Sequence, residues 1–196
     1  MDSEKIKVKI LEHVLKDVPQ EGWSQAALDK AALEVTGDET LGWRLFPKGP
    51  LEAIDLWHQL LDQEMLAILP APESLRVRDR VREGVKTRLL LLAPHREAAR
   101  KTVWYLAHPA HLGQGARLLY KTVNEIWYYA GDRSTDYNFY TKRALLAAVY
   151  GATFTYWLKD TSEGFQDTWV FLDKRLEQAL AFGSLPSKIF GRMRGG

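Results

Sequence analysis

Apolar residues recur at helical spacing along almost the whole chain, and this periodicity limits the possible folds more than any other feature. Near the N-terminus Ile6, Ile10, Val14 and Val18 follow one another at intervals of four residues, as on one face of an α-helix. Similar patterns continue between breaks at proline and glycine, and no segment shows the strict alternation of a β-strand. The sequence therefore predicts an all-α protein.

Prolines, glycines and capping residues predict where the helices begin and end. Pro19 is expected to end the first helix, Ser24 to cap the start of the second, and Gly37 to end it. The Pro-Ala-Pro run at 70–72 is the strongest candidate for a domain boundary. We predict three parts: helix-turn-helix-like N-terminal helices over 1–70, a larger ligand-binding helical bundle over 71–183, and an amphipathic basic tail over 184–196.

The composition excludes several classes of protein. There is no cysteine, so no disulfide, thiolate nucleophile or cysteine-bound metal can form. The longest uncharged run, Ala144 to Leu158, is too short and too rich in Thr and Tyr to span a bilayer. A buried core helix is the better interpretation. The start of the chain resembles neither a secretory signal nor a transit peptide.

The N-terminal part resembles the beginning of a TetR-type regulator, because three short elements lead through Phe46-Pro47-Lys48-Gly49-Pro50-Leu51 into a further helix. A surface that reads DNA must present cations to phosphates. Residues 21–50 instead hold three Lys and Arg against five Asp and Glu. We therefore expect a regulator-like scaffold that does not bind nucleic acid. A TetR-type regulator with an apolar ligand remains the alternative.

The most specific motif lies in the second half of the chain. It begins as Trp-Tyr-Tyr-Ala-Gly-Asp at 127–132 and continues as Thr-Asp-Tyr-Asn-Phe-Tyr-Thr-Lys-Arg at 135–143. Two further blocks follow, Leu-Ala-Ala-Val-Tyr at 146–150 and Asp-Thr-Trp-Val-Phe-Leu-Asp-Lys-Arg at 167–175. This ordered set resembles the Coq nine family of accessory proteins of ubiquinone biosynthesis.

The resemblance implies a TetR-like fold, a homodimer, and binding of isoprenoid lipids, including quinone intermediates. It implies that the protein presents them to the membrane-associated hydroxylase of ubiquinone biosynthesis, and that it is not itself an enzyme. Because the start of the chain lacks a transit peptide, we expect a bacterial cytoplasm, peripheral to the inner membrane. A trimmed eukaryotic chain would instead belong in the mitochondrial matrix.

Ten aromatic residues between Trp127 and Trp157, together with rows of small residues on the same predicted helix, suggest an apolar ligand site. Core packing, and close packing of helices across a dimer, are the alternatives for these residues. The expected lipid-binding residues are Trp127, Tyr129, Ala148, Val149, Gly151, Ala152 and Phe154.

The polar break between the two apolar helices is expected to carry a surface for the hydroxylase, as the resemblance implies. The motif places Asn124, Ile126, Asp136, Phe139 and Tyr140 in this exposed patch, with Phe139 as the main docking residue. Members of the family often have Asp, Met and Trp where this chain has Asn124, Ile126 and Phe139. Asp136 could equally act only as the N-cap of the following helix.

The basic tail is expected to contact anionic lipid, because it combines apolar residues with three cations and no acid. A frayed, solvated end is the alternative. The arginine-rich segment from Arg76 to Arg88 is expected to form a solvated helix face, or else a second contact with lipid headgroups. The expected membrane-binding residues of the tail are Leu185, Lys188, Ile189, Phe190, Arg192, Met193 and Arg194.

No catalytic or metal-binding motif stands out. His108 and His111 form the closest histidine pair, but Pro109 breaks the helix between them and no third ligand is evident. The sequence also lacks a glycine-rich phosphate loop and a nucleophile elbow. We therefore expect no cofactor, no metal and no catalytic residue.

Overall fold

The computed structural model describes residues 3–132 and 137–183. These residues form α-helices and short 3-10 turns, with no β-strand among them. The helices are α1 (Ser3–Glu21), α2 (Gln25–Thr36), α3 (Thr40–Leu45), α4 (Pro50–Ile68), α5 (Val77–Leu92), α6 (Arg96–Leu106), α7 (Leu112–Tyr129), α8 (Tyr137–Trp157) and α9 (Gln166–Gly183).

The first helix does not end at its proline. It continues through Pro19 to Glu21, and Gly22 closes it with a backbone N–H that donates to the carbonyl of Val18 at 2.9 Å. A proline in the last turn removes only one helical hydrogen bond, whereas Gly22 adopts the left-handed conformation that ends a helix, with φ of 75°. The expected stop at Pro19 is therefore wrong.

The predicted caps of α2 are confirmed. The hydroxyl of Ser24 accepts a hydrogen bond from the backbone N–H of Ala27 at 3.1 Å. Gly37 has a φ of 77°, and its N–H donates to the carbonyl of Leu33. Both ends of this helix are thus fixed by local side-chain and backbone chemistry.

Helices α2 and α3 pack so closely that only glycine fits at their contact. A Cβ atom built on Gly42 would lie 2.7 Å from the Cα atom of Asp29, which is closer than real Cβ atoms come to backbone. The close contact holds the short α3 helix, which carries the exposed Trp43, against α2.

The long helix α4 connects the N-terminal helices to the rest of the fold. Trp57 of α4 packs against Trp23, and Met65 is buried near its C-terminal end. Helices α5, α7, α8 and α9 pack on one another, while α6 packs on both α1 and α7. A single buried cluster extends across the predicted boundary at 70–72, from Trp57 to Val85 and Trp157.

The C-terminal end of α8 is held by two arginines of α6. Arg96 donates to the backbone carbonyls of Trp157 and Asp160, and Arg100 donates to that of Leu158. Carbonyls at the end of a helix lack helical partners, so these guanidinium groups satisfy acceptors that burial would otherwise leave unbonded. None of the described helices combines the length and the apolar content needed to cross a bilayer.

Candidate functional site

The described parts of the motif, residues 127–132 and 137–143, meet at a corner between α7 and α8 where Asp132 bonds to both of the cations at 142 and 143. The carboxylate of Asp132 accepts from Lys142 at 2.8 Å and from Arg143 at 3.0 Å. Arg143 is almost fully buried and also donates to the side chain of Asn124 and to the carbonyl of Phe139. These contacts fasten the end of α7 to the first turns of α8.

The backbone of the corner depends on the other members of the motif. The indole N–H of Trp127 donates to the carbonyl of Lys142 at 3.1 Å. Gly131 has a φ of 86°, in the left-handed region that favours glycine. Arg80 of α5 donates to the carbonyl of Ala130, so a third helix is fixed to the same corner.

Below this corner lies a cavity of about 560 Å³ between α5, α7, α8 and α9. That volume lies within the range typical of pockets for small ligands. Its lining residues are Val77, Arg78, Val81, Trp127, Ala130, Gly131, Asp132, Thr141, Lys142, Leu145, Leu146, Val149, Leu176 and Ala179.

The cavity is apolar at its floor and polar at its rim. The floor consists of side chains that are at most 6% exposed, namely Val81, Ala130, Leu146, Val149 and Leu176. The rim includes Arg78 and Lys142, whose side chains are 40% and 41% exposed. Such a gradient suits a ligand with an apolar body and a polar end.

A buried polar cluster lies elsewhere in the bundle, between α4, α5 and α7. Arg88 is completely buried, and its Nε donates to Asp62 at 2.7 Å. Asp62 also accepts from the hydroxyl of Thr122, and Arg88 lies 3.2 Å from the Nδ1 atom of His58. Burial lowers the pKa of His58 to about 3, helped by the charge of Arg88, so this ring is neutral at physiological pH.

Most arginines of the segment 76–88 bind side chains or backbone carbonyls of other helices. Arg88 is in the core, and Arg82 forms two hydrogen bonds with Asp173 of α9. Arg80 binds the end of α7, and Arg78 pairs with Glu177. The expectation of a solvated face is wrong for Arg88, because Asp62 of α4 compensates its charge inside the protein.

Two of the expected lipid-binding residues, Trp127 and Val149, line the cavity, and the other five do not. Ala148 is exposed and outside the lining, and a Cβ built on Gly151 would meet no atom within 4 Å. Ala152 and Phe154 lie outside the lining, and the hydroxyl of Tyr129 donates to the carbonyl of Pro70. None of the small residues Ala148, Gly151 and Ala152 of α8 thus belongs to the cavity lining.

The expected partner patch is only partly at the surface. Tyr140 is 69% exposed, whereas Phe139 is half-buried beneath the guanidinium of Arg143, whose Cζ lies 3.4 Å from the ring centroid. Asn124 is half-buried and bonded to Arg143. The structure therefore offers Tyr140, rather than Phe139, as the prominent side chain of this surface.

Ile126 does not belong to an exposed patch. It is completely buried, and a Cβ atom built on Gly84 of α5 would lie 2.9 Å from its Cγ2 atom. The expected exposure of Ile126 is wrong because α5 covers this face of α7. Asp136 and the seven expected membrane-binding residues of the tail lie outside the described residues.

Sequence reasoning missed most of the cavity wall. Val77, Val81, Leu145, Leu146, Leu176 and Ala179 come from α5, α8 and α9 and had no role assigned. Their helical spacing could have shown that they are apolar neighbours on three helices. It could not have shown that these faces leave a space between them.

Comparisons with known proteins identify the region that contains the corner. The family model described as COQ9, which is the Coq nine family of the sequence motifs, matches residues 112–183. This range covers α7, α8 and α9, three of the four helices that line the cavity.

The chain is similar to curated relatives that are named mitochondrial ubiquinone biosynthesis proteins COQ9. It is 32% identical over 195 residues to those of Rattus norvegicus and Homo sapiens, with 95% of the chain covered. The chain spans 62% of the rat protein and 61% of the human one.

The fold is similar to that of a solved TetR transcriptional regulator from Nitrosomonas europaea. The TM-score is 0.72 at 21% sequence identity, covering 90% of this chain and 98% of that one. At this identity the likeness concerns the fold alone. The predicted TetR-like all-α fold is thereby confirmed.

Proposed function

We propose that the chain belongs to the COQ9 family, as its similarity to curated relatives over 95% of its length supports, and that it is a lipid-binding accessory protein of ubiquinone biosynthesis. It binds an isoprenoid quinone intermediate and presents it to a membrane-associated hydroxylase, without catalysing a reaction itself. The observation that carries the proposal is the cavity with an apolar floor beneath the corner motif.

The size of the cavity favours a ligand with one chain. At about 30 Å³ for each water-sized group, a volume of about 560 Å³ holds roughly twenty such groups. One isoprenoid chain, or part of a longer one, fills this space. Burying the chain also removes apolar surface from water, which is the main driving force for such binding.

Mass spectrometry of lipid extracted from the purified protein tests this proposal. We expect an isoprenoid lipid with a single chain, at up to one molecule per protomer. A lipid-free protein that also takes up no isoprenoid from solution would contradict the lipid-binding function.

We propose a membrane-surface location, in which residues 184–196 act as the anchor. The support for this proposal is the composition of the segment, which combines apolar residues with three cations and no acid. A bacterial cytoplasm remains our prediction for the compartment. The curated relatives are named as mitochondrial proteins.

The homodimer is proposed to form through the outer face of α8. Ala144 and Ala148 are exposed there, together with Thr155 and the 39% exposed Tyr156, and no charged residue occurs from 144 to 158. A helix that is apolar on all sides is usually buried on all sides. Small residues on such a face allow a second helix to approach closely.

Ala148→Arg is therefore expected to convert the dimer into a monomer. The arginine would place a charge in the centre of an apolar interface, where burial without a partner is costly. Sedimentation velocity measures the change in mass, and Lys174→Ala on α9 is a control for removal of an exposed side chain. A variant that stays dimeric with an unchanged dissociation constant would place the interface elsewhere.

The hydroxylase is proposed to dock at the corner, with Tyr140 as the main contact. Tyrosine contributes large, rigid contact area at protein interfaces, and Tyr140 is 69% exposed. Tyr140→Ala should weaken docking by roughly 2 kcal/mol, typical of an interface hot spot.

Complementation of a strain that needs this protein for quinone synthesis measures that effect, with the thermal midpoint and bound lipid as controls. Tyr120→Ala, at a 48% exposed tyrosine of α7, is the matched control and should behave like wild type. Loss of complementation in both variants, or in neither, would contradict docking at Tyr140.

The alternative of a TetR-type regulator is disfavoured by the charge of the N-terminal helices. Residues 21–50 carry a net charge of 3 − 5 = −2, and Trp43 of α3 is exposed where a DNA-reading helix needs polar or basic side chains. We expect no shift of duplex DNA at micromolar protein in physiological salt. Sub-micromolar binding of duplex DNA with a steep salt dependence would instead support the function of a TetR-type regulator.

A further inference from the structure

We propose that the cavity selects a single-chain lipid whose polar end is an anion, a carboxylate or a phenolate, which Lys142 and Arg78 bind at the rim. This inference rests on the proposed lipid-binding function and adds the chemistry of the head group. The apolar chain then extends toward the floor, where Leu146 and Val149 are buried.

The direction of the ligand follows from the distribution of polarity. Apart from Asp132, whose carboxylate is bonded to Lys142 and Arg143, the buried side chains of the lining are apolar, while Arg78 and Lys142 lie where the lining is exposed. A buried head group at the floor would lose its hydration without gaining a hydrogen-bond partner, which is unfavourable. A head group at the rim keeps contact with water and with both cations.

The sign of the head group follows from the charges around the rim. Among the described residues, four cations line the cavity or donate to residues of its lining, and two carboxylates are hydrogen-bonded to them. Asp132 is shared between Lys142 and Arg143, so one negative charge serves two positive ones. The cations are Arg78, Arg80, Lys142 and Arg143, and the carboxylates are Asp132 and Glu177.

Both proposed contacts keep donors for a ligand oxygen. Lys142 has three N–H donors, and the hydrogen bond described for it is the one to Asp132. Arg78 has five, and the hydrogen bond described for it is the one to Glu177. An anionic oxygen accepts stronger hydrogen bonds from such groups than a neutral hydroxyl does. The rim therefore favours an acid over an alcohol of the same chain length.

Titration of the delipidated full chain with matched sixteen-carbon probes tests this preference. The probes are hexadecanoic acid, hexadecanol and hexadecyltrimethylammonium, each added below its aggregation concentration at pH 7.5. Because the acid adds ion pairs with Lys142 and Arg78 to the hydrogen bonds that the alcohol also accepts, it should bind about tenfold more tightly than the alcohol. The cationic probe should bind most weakly.

Substitutions of the two rim cations test which residue produces the preference for the acid over the alcohol. Lys142→Met should remove much of the tenfold preference because it weakens binding of the acid more than binding of the alcohol, whereas Lys142→Arg should retain the preference. Arg78→Met is the second variant, in case loss of Lys142 disturbs the corner. Lys9→Met, at an exposed lysine of α1, is the matched control and should bind every probe like wild type.

Each of the other possible outcomes would overturn a specific part of the proposal. Equal affinity for acid and alcohol would overturn the anionic head group while leaving lipid binding intact. An acid preference that survives both Lys142→Met and Arg78→Met would overturn the assignment to these residues. Failure of every probe to bind would overturn the lipid-binding function together with the inference.

Discussion

Val149→Trp should lower the affinity for a single-chain lipid roughly a hundredfold while the protein stays folded. Val149 lies on the cavity floor and is 6% exposed, so a larger side chain there extends into the space proposed for the chain. If the indole displaces four methylene groups, the loss at about 0.8 kcal/mol each is about 3 kcal/mol. At about 1.4 kcal/mol for each factor of ten, this corresponds to roughly two orders of magnitude.

The readout is the amount of lipid that co-purifies, together with the affinity of the delipidated protein for an isoprenoid alcohol. Val103→Trp is the matched control, because Val103 is 45% exposed on α6 and that helix contributes nothing to the cavity lining. The control should retain full lipid content. Wild-type binding by a folded Val149→Trp protein would show that the ligand does not occupy this cavity.

Asp62→Ala should destabilise the protein by about 3–5 kcal/mol, the usual cost of removing one partner of a buried ion pair. The substitution leaves the guanidinium of Arg88 completely buried without its carboxylate, and it removes the acceptor of the Thr122 hydroxyl. The Nη1 atom of Arg88 already has no hydrogen-bond partner among the described residues, so no spare contact compensates the loss.

For a chain of this length the thermal midpoint shifts by about 2–4 °C per kcal/mol, so a fall of roughly 6–20 °C is expected. Asp55→Ala is the matched control on the same helix, because Asp55 pairs with Lys121 near the surface, where such pairs contribute at most about 1 kcal/mol. The double variant Asp62→Leu with Arg88→Met should recover most of the stability, since it removes both buried charges. Equal midpoints for Asp62→Ala and Asp55→Ala would contradict this account.

Much of the fold follows from the sequence because the forces that decide it are local. The caps of α2 depend on Ser24 and Gly37 and on atoms a few residues away, so the local sequence is sufficient to predict both ends of this helix. The corner motif was also recognisable, because Trp127, Asp132 and Arg143 keep a fixed spacing that the folded corner requires. The predicted helix end at Pro19 is wrong because the effect of a proline depends on its position in the helix, and near the C-terminal end it removes few hydrogen bonds.

The orientation of α8 was not decided by its sequence. Hydrophobic periodicity identifies the buried face of a helix only when the two faces differ in polarity, and from 144 to 158 this helix carries no charge. Small residues suggested that Ala148 and Gly151 face a ligand. The packing of α5, α7 and α9 instead directs Leu146 and Val149 to the cavity and leaves Ala148 outside.

The sequence by itself determined the all-α class, the caps of α2 and the resemblance to the family, whereas the tertiary structure decided which residues are buried and where space remains. Arg88 is in the core because Asp62, which precedes it by 26 positions, reaches it from α4. Ile126 is buried because Gly84 lets α5 approach it. The cavity exists because the side chains of α5, α7, α8 and α9 that line it do not fill the space between these helices. Helix formation is local, but burial and empty volume depend on contacts between helices that lie far apart in the chain.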